Sequence, residues 1–375
     1  MKKVALVLYA RFPSEMAYGN HVIQIANGFT NNGYKVDVYY PFTDNKKTIN
    51  ELPTTYYNTD ENIDFFQISN FDITKLKVYE ILPSIIKQLL YSLNTFIWSR
   101  KVKEKLLDYD FIWSTNPNIL SSFLDRDIKL IYEKHGAARF IQKNSIKKLQ
   151  TSANTILVGV TKTSYKELAN GGAKALYFPN GVDTKLFKYN KKTSGDLNVG
   201  FIGHLETYGV DKGVVNSTQT MLDLMDEIDF RATIVGGPKN KLEDIKKLAE
   251  SANKVDNLTI SDYVPQVKVP EILSTLDIGI VPYPNEEHMS KYASPLKIFE
   301  LAACGVPILA SDIQTHKELE EFNLGIVYFQ HGNFEDFSEK LKSLLQDKEK
   351  RESLRNLSLE NIKNFSWENR IKKII

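Results

Sequence analysis

Cysteine is almost absent: Cys304 is the one cysteine in 375 residues. It lies in an apolar segment, so intrachain disulfides and cysteine-based zinc clusters are excluded and a reducing compartment is expected. Long hydrophobic runs are missing too. None reaches the length of about 18 apolar residues that a membrane-spanning helix needs. The opening MKKVALVLYARFPSE has two lysines and a short apolar run, but Arg11 and Glu15 stand where a cleavage site needs small residues. It reads as a buried first strand and not as a signal peptide. Neither LNVGFIGHLE nor RATIVGGPKN carries the GxGxxG that a dinucleotide-binding dehydrogenase requires after a strand. Short-period repeats and low-complexity tracts are also lacking. Net charge is only +2, which conceals an uneven distribution. Residues 1–190 hold 25 Lys and Arg against 17 Asp and Glu, and the remainder 23 against 29. The basic front half suits an anionic surface or substrate, although scattered solvated lysines give the same count.

What is present is a globular composition, 42% hydrophobic and 25% charged, in a chain long enough for two domains. Strand-like runs alternate with helix-like stretches: KVALVLY, KVDVYY, FIWST, IKLIYE and TILVGV, then LNVGFIG, RATIVGG, LTISDYV, DIGIVPY and VPILAS. The alternation predicts α/β architecture with two parallel, doubly wound sheets in tandem. The polar segment 189–198 reads as the linker. Domains are expected at 1–190 and at 191–361, followed by a helix over about 362–375. Such sheets bind ligands at the carboxyl ends of their strands, so two facing sheets would make a cleft. The stretch 83–107 reads as a basic helix, which either lies on an anionic membrane surface or packs on the core with a charged outer face.

SPLKIFELAACGVPILASD, residues 294–312, is the most informative segment. Ser294 and Pro295 predict a helix start, and Lys297 then sits where the helix dipole disfavours a cation. An anion bound at that end reverses the sign, and a phosphate is the obvious candidate. Glu300, one turn deeper, needs a partner when buried; ribose hydroxyls serve, and so does an i,i+3 salt bridge to Lys297. A second cation, Lys212, follows the strand ending at Gly203 and opens the next helix with Gly213. In the front half Gly19 permits close approach of the backbone to a ligand or simply makes a turn. His135, directly after a strand in YEKHG, can donate to a substrate oxygen or be structural. The Asp-x-Asp triplets at 108–110 and 125–127 both precede strands. They are expected at the amino ends of the sheet, away from ligand, and no metal is expected.

Taken together, GYKVDVYYP, YEKHG, VGVTKTSYKEL, FPNGVDTKLF, FIG with DKG, IVGG, DYVP, SPLKIFE with GVPILASD, and SWENR resemble the retaining GT-B glycosyltransferases of family 4. The resemblance implies transfer from a nucleoside-diphosphate sugar, UDP or GDP, to a glycan or lipid-linked acceptor, with donor on the back domain and acceptor on the front. It implies cell-surface polysaccharide or glycoconjugate synthesis, and a final helix over about 362–375 that crosses back onto the front domain; a cytoplasmic setting, peripheral contact of the basic front domain with the anionic inner membrane face, and no nucleic acid partner are expected beside it. It assigns Lys212 to the donor diphosphate, the backbone at Ser294, Pro295, Leu296 and Lys297 to its cradle, Glu300 to the ribose and Val264 to the base. Gly19 lies beside the diphosphate, and His135 matches the active-site histidine. Two positions depart from the pattern: Tyr292 replaces a glutamate, and His204 replaces an arginine. A sugar-nucleotide epimerase of the same architecture and a two-domain sugar-binding protein are the rival readings.

Overall fold

The computed structural model describes residues 2–14, 16–43, 48–59, 61–190, 195–207 and 209–375. It packs as two units, 1–179 with 367–375 and 180–366. In the first, β1 (Lys3–Val7), β2 (Lys35–Pro41), β3 (Ile63–Ile68), β4 (Phe111–Ser114), β5 (Lys129–Lys134), β6 (Thr155–Gly159) and β7 (Ala175–Tyr177) form one sheet. Its order is β3-β2-β1-β4-β5-β6-β7, parallel throughout. The near-continuous Val, Ile and Leu content of the central strands follows from helices covering both faces.

The second unit repeats the plan. Its strands are β8 (Asn198–His204), β11 (Arg231–Gly237), β12 (Leu258–Ser261), β13 (Ile278–Val281), β14 (Ile308–Ser311) and β15 (Ile326–Phe329). They are ordered β12-β11-β8-β13-β14-β15, again all parallel. A small antiparallel ribbon, β9 (Glu206–Thr207) with β10 (Val210–Asp211), leads from β8 to Lys212. In each sheet the order reverses beside the first strand, between β1 and β4 and between β8 and β13, which is where doubly wound folds bind ligands.

The unit boundaries differ from the expected 190/191 and 361/362. Val182 and Phe187 are buried in the core of the second unit, as are Ile362 and, partly, Phe365. The segment FPNGVDTKLF thus belongs mainly to the back unit. The helix Trp367–Ile374 belongs to the front one, where it crosses the helix Ala17–Asn31 at Gly28. A Cβ there would meet Ile371 Cγ1 at 2.7 Å and the Trp367 carbonyl at 2.9 Å, so only glycine allows the approach.

Helix Ser84–Lys103 buries Thr95, Trp98, Ser99 and Val102 on one side. Its outer side is apolar rather than charged over most of its length: Ile85, Leu89, Leu93 and Phe96 are all exposed. Among the described residues no helix is long and apolar enough to cross a membrane.

Candidate functional site

In the back unit the predicted cations come together. Lys297 lies across the end of β8: at Gly203, where φ is +148, a Cβ would touch the Lys297 Cε at 3.0 Å. Gly213 (φ +80) allows the turn after Lys212 to press against the Pro282 carbonyl at the end of β13. The Lys212 ammonium lies over the Tyr283 ring, 5.1 Å from its centroid. Burial, and after it the neighbouring charge of Lys297, lower its pKa to about 8. No carboxylate pairs with Lys212 among the described residues.

Helix Leu296–Ala303 starts one residue later than expected, and Ser294 does not cap it; the residue at the cap is Pro295, with no side-chain bond to the first amides. The Ser294 hydroxyl instead accepts from Asn180 N at 2.9 Å, and Asn180 Nδ2 donates to the Ser294 carbonyl at 3.1 Å. FPNGVD and SPLKIFE, far apart in sequence, are therefore bonded to each other, and the free amides of the helix stay open beside two lysines. Glu300 is 7% exposed and is paired: Lys297 Nζ sits 2.7 Å from its Oε2. The i,i+3 salt bridge is thus present, leaving the other carboxylate oxygen for a further donor.

Val264, in the loop after β12, is half-buried against the core of the unit. His204, at the tip of β8, is exposed, and its ring is nearly parallel to that of Tyr263, centroids 6.2 Å apart. Tyr292 is buried. Glu286, the nearby acid, spends its carboxylate on capping the short helix Glu287–Lys291. Cys304 is buried, and burial pushes its thiol up to about 12, so it supplies no thiolate.

The front unit holds a second cluster. His135 follows β5 and lines a cavity of about 280 Å³, with Tyr9 and Ala10 beyond β1, Thr115 beyond β4, and Tyr91 and Arg139. These positions are the carboxyl ends of β1, β4 and β5, so the cavity opens at the reversal point of the sheet. Burial raises Tyr91 to about 12, keeping its hydroxyl a donor.

Beneath His135 lies a residue the sequence reading missed, Glu133, fully buried. Its Oε1 is 2.6 Å from His135 Nε2 and 3.0 Å from His21 Nε2. Its Oε2 accepts from Arg370 Nη1 at 2.8 Å. Burial alone would raise Glu133, but Arg370 and the two imidazoles hold it well below the usual carboxylate range. Burial also lowers His21 to about 4, so that ring is neutral at ordinary pH. Arg370 in turn donates to the carbonyls of Pro179 at 2.8 Å and Phe178 at 3.1 Å. The available signal was a glutamate inside the apolar strand KLIYEK, two residues from His135 and so on the same side of the strand.

His21, Glu133 and His135 bring three possible metal-ligand atoms within 4.8 Å of one another. Both carboxylate oxygens already have partners, and the Arg370 guanidinium opposes a dication there. Gly19 has a packing role of its own: a Cβ would meet the Tyr57 hydroxyl and, at 2.5 Å, the Ser14 carbonyl. The triplets 108–110 and 125–127 lie at the amino ends of β4 and β5. Asp110 accepts from Lys3 N at 2.7 Å and Asp125 pairs with Lys103.

Residues 182–358, just under half of the chain and nearly all of the back unit, match the family described as glycosyl transferases group 1. An uncharacterized glycosyltransferase of Methanocaldococcus jannaschii, MJ1178, is 26% identical over 244 residues. That match takes in 62% of this chain and 63% of the relative, less than two thirds of its length. The Anabaena protein Alr3699/HepE, solved in complex with UDP, superposes with a TM-score of 0.71 at 15% identity, covering 100% of this chain and 99% of that one. WaaG, a glycosyltransferase involved in lipopolysaccharide biosynthesis, gives 0.65 at 14% identity, covering 99% and 98%. The fold is GT-B. In GT-B terms the lysine pair lies on the C-terminal Rossmann-like unit and the His135 cavity on the N-terminal one.

Proposed function

We propose that the chain is a glycosyltransferase that moves a hexosyl group from a UDP- or GDP-sugar to a glycan or lipid-linked acceptor, with retention at the anomeric carbon and without a metal. Its setting is cell-surface polysaccharide or glycoconjugate synthesis, in the cytoplasm at the inner face of the membrane. The observation that carries this reading is the convergence of Lys212, Lys297 and the uncapped amides of helix Leu296–Ala303 at the reversal point of the back sheet. Lys212 has no acidic partner among the described residues and Lys297 shares its charge with Glu300, a net positive end that suits a departing nucleoside diphosphate. Each lysine contributes attraction of about 4 kcal/mol at 4 Å and an effective dielectric of 20, before desolvation. Glu300 keeps one oxygen for a ribose hydroxyl while its other holds Lys297 in place.

In this reading the front cavity takes the acceptor, Arg139 suiting a polyol, and the His135 ring, its Nε2 hydrogen committed to Glu133, keeps Nδ1 to accept from a sugar or acceptor hydroxyl. Glu133 is no nucleophile, because both its oxygens are bonded; this favours a front-face departure and attack over a covalent glycosyl intermediate.

Thermal shift against UDP, GDP, ADP and CMP tests the donor half. The matching nucleotide at a hundred times its dissociation constant is expected to stabilise by about 2.7 kcal/mol, and Lys212→Ala to shrink the shift at the same nucleotide concentration and abolish sugar transfer while leaving the apo melt intact. Product analysis with sugar nucleotides separates the alternatives. An isomerised donor marks an epimerase, and binding without turnover marks a carrier.

A further inference from the structure

Helix Ser84–Lys103 has two apolar faces where a surface helix needs one. Its inner face is in the core through Trp98 and Val102, yet Ile85, Leu89, Leu93 and Phe96 form an outward stripe at helical spacing, between 44% and 66% exposed. The stripe continues into the preceding short helix through Ile81, which is 82% exposed. Contiguous outward apolar surface on this scale marks something that covers it. Charge on the helix itself has one sign; the acid of the preceding short helix, Glu80, stands beside Lys77. The helix contains Lys87, Arg100, Lys101 and Lys103 and no acidic residue. Lys103 is neutralised by Asp125. The other three rest on uncharged groups: Lys87 Nζ on the Glu80 carbonyl at 2.7 Å, Lys101 Nζ on the Ser69 carbonyl at 3.3 Å, and Arg100 over the Phe96 ring at 4.7 Å. Their charge is left for something outside the chain. Beside Tyr91 of this helix, where the Arg139 guanidinium stacks at 5.9 Å, Phe140 is 82% exposed.

We infer that residues 76–101 are a docking face for an anionic lipid surface, the apolar stripe entering the headgroup and acyl boundary and the cations meeting lipid phosphates. A second copy of the chain is the poorer occupant, because a twofold contact would set this acid-free helix against itself. The inference deepens the proposed membrane setting, but it rests on geometry that does not involve the lysine pair, and it is read without turnover.

The test is co-sedimentation of the full chain with vesicles of phosphatidylcholine alone and of phosphatidylcholine and phosphatidylglycerol in equal parts. Binding is expected to be at least about tenfold stronger to the anionic vesicles and to weaken with salt. Leu89→Ser with Leu93→Ser is expected to lose at least about tenfold in vesicle binding, with the melting temperature and the nucleotide-induced shift unchanged. Arg100→Gln with Lys101→Gln is expected to reduce both binding and its salt dependence. Failure of the wild type to sediment with anionic vesicles, equal binding by the Leu variants, or a dimer that dissociates on Leu89→Ser would each overturn the inference. None of these outcomes bears on the nucleotide site, whose failure is read separately in the thermal-shift panel.

Discussion

Lys212 and Glu133 are opposite cases of a buried charge. Lys212 has no carboxylate partner among the described residues and a pKa lowered to about 8; Glu133 has a guanidinium and two imidazoles and is held low. The sign of the first effect is fixed. A bound diphosphate favours the charged lysine, so binding above about pH 8 takes up a proton. UDP affinity is expected to be level between about pH 7 and 8 and then to fall by up to about tenfold per pH unit, while Lys212→Ala binds weakly with no such bend. Calorimetric titration across this range checks it, and a wild-type curve flat to about pH 9.5 would remove Lys212 from the phosphate site. For Glu133 the cost is structural. Glu133→Gln strands Arg370 in the interior and is expected to lower stability by about 3–5 kcal/mol, whereas Glu133→Gln with Arg370→Met recovers part of that loss. Denaturant unfolding of both variants measures the difference. Lys212, Lys297 and Glu300 were legible because a cation near a helix start is a local anomaly. Glu133 and Arg370 were not, because the second residue that explains the first lies 237 positions away.

At the scale of elements, all ten strands read from the sequence are present. Five were unread: the two-residue ribbon strands β9 and β10, and β3, β7 and β15, which are edge strands of the two large sheets. With a single neighbour each, β3, β7 and β15 are only partly buried, so the apolar run that betrays a central strand is diluted. The helix at 296–303 was also legible, but its capping was not. Ser294 fits a cap by composition, yet its hydroxyl is already committed to Asn180, a pairing no local rule reveals. Gly28 carries the testable consequence of close packing. Gly28→Val would force the helices Ala17–Asn31 and Trp367–Ile374 apart, with an expected loss of about 1–3 kcal/mol and faster proteolysis at the C-terminal helix. An unchanged melting temperature would show that this approach is not tight in solution.

For the whole molecule, the two units are unequal in how they are assembled from the chain. The back unit is one continuous segment, 180–366, with a complete six-stranded sheet. Expressed alone it is expected to melt cooperatively and to keep a UDP-induced shift. Residues 1–179 alone leave Glu133 without Arg370 and are expected not to melt cooperatively until 367–375 are restored; differential scanning calorimetry of the fragments decides both. The tandem repetition of strand and helix was legible, but the exchange of the final helix was inferred by likeness and its residues only approximately placed. That exchange sets an order of maturation. On the ribosome the first half is synthesised first but lacks its counter-ion until every residue of the second has emerged. The nascent front unit therefore holds all seven of its strands early and gains its last helix only after the later-made half has left the ribosome.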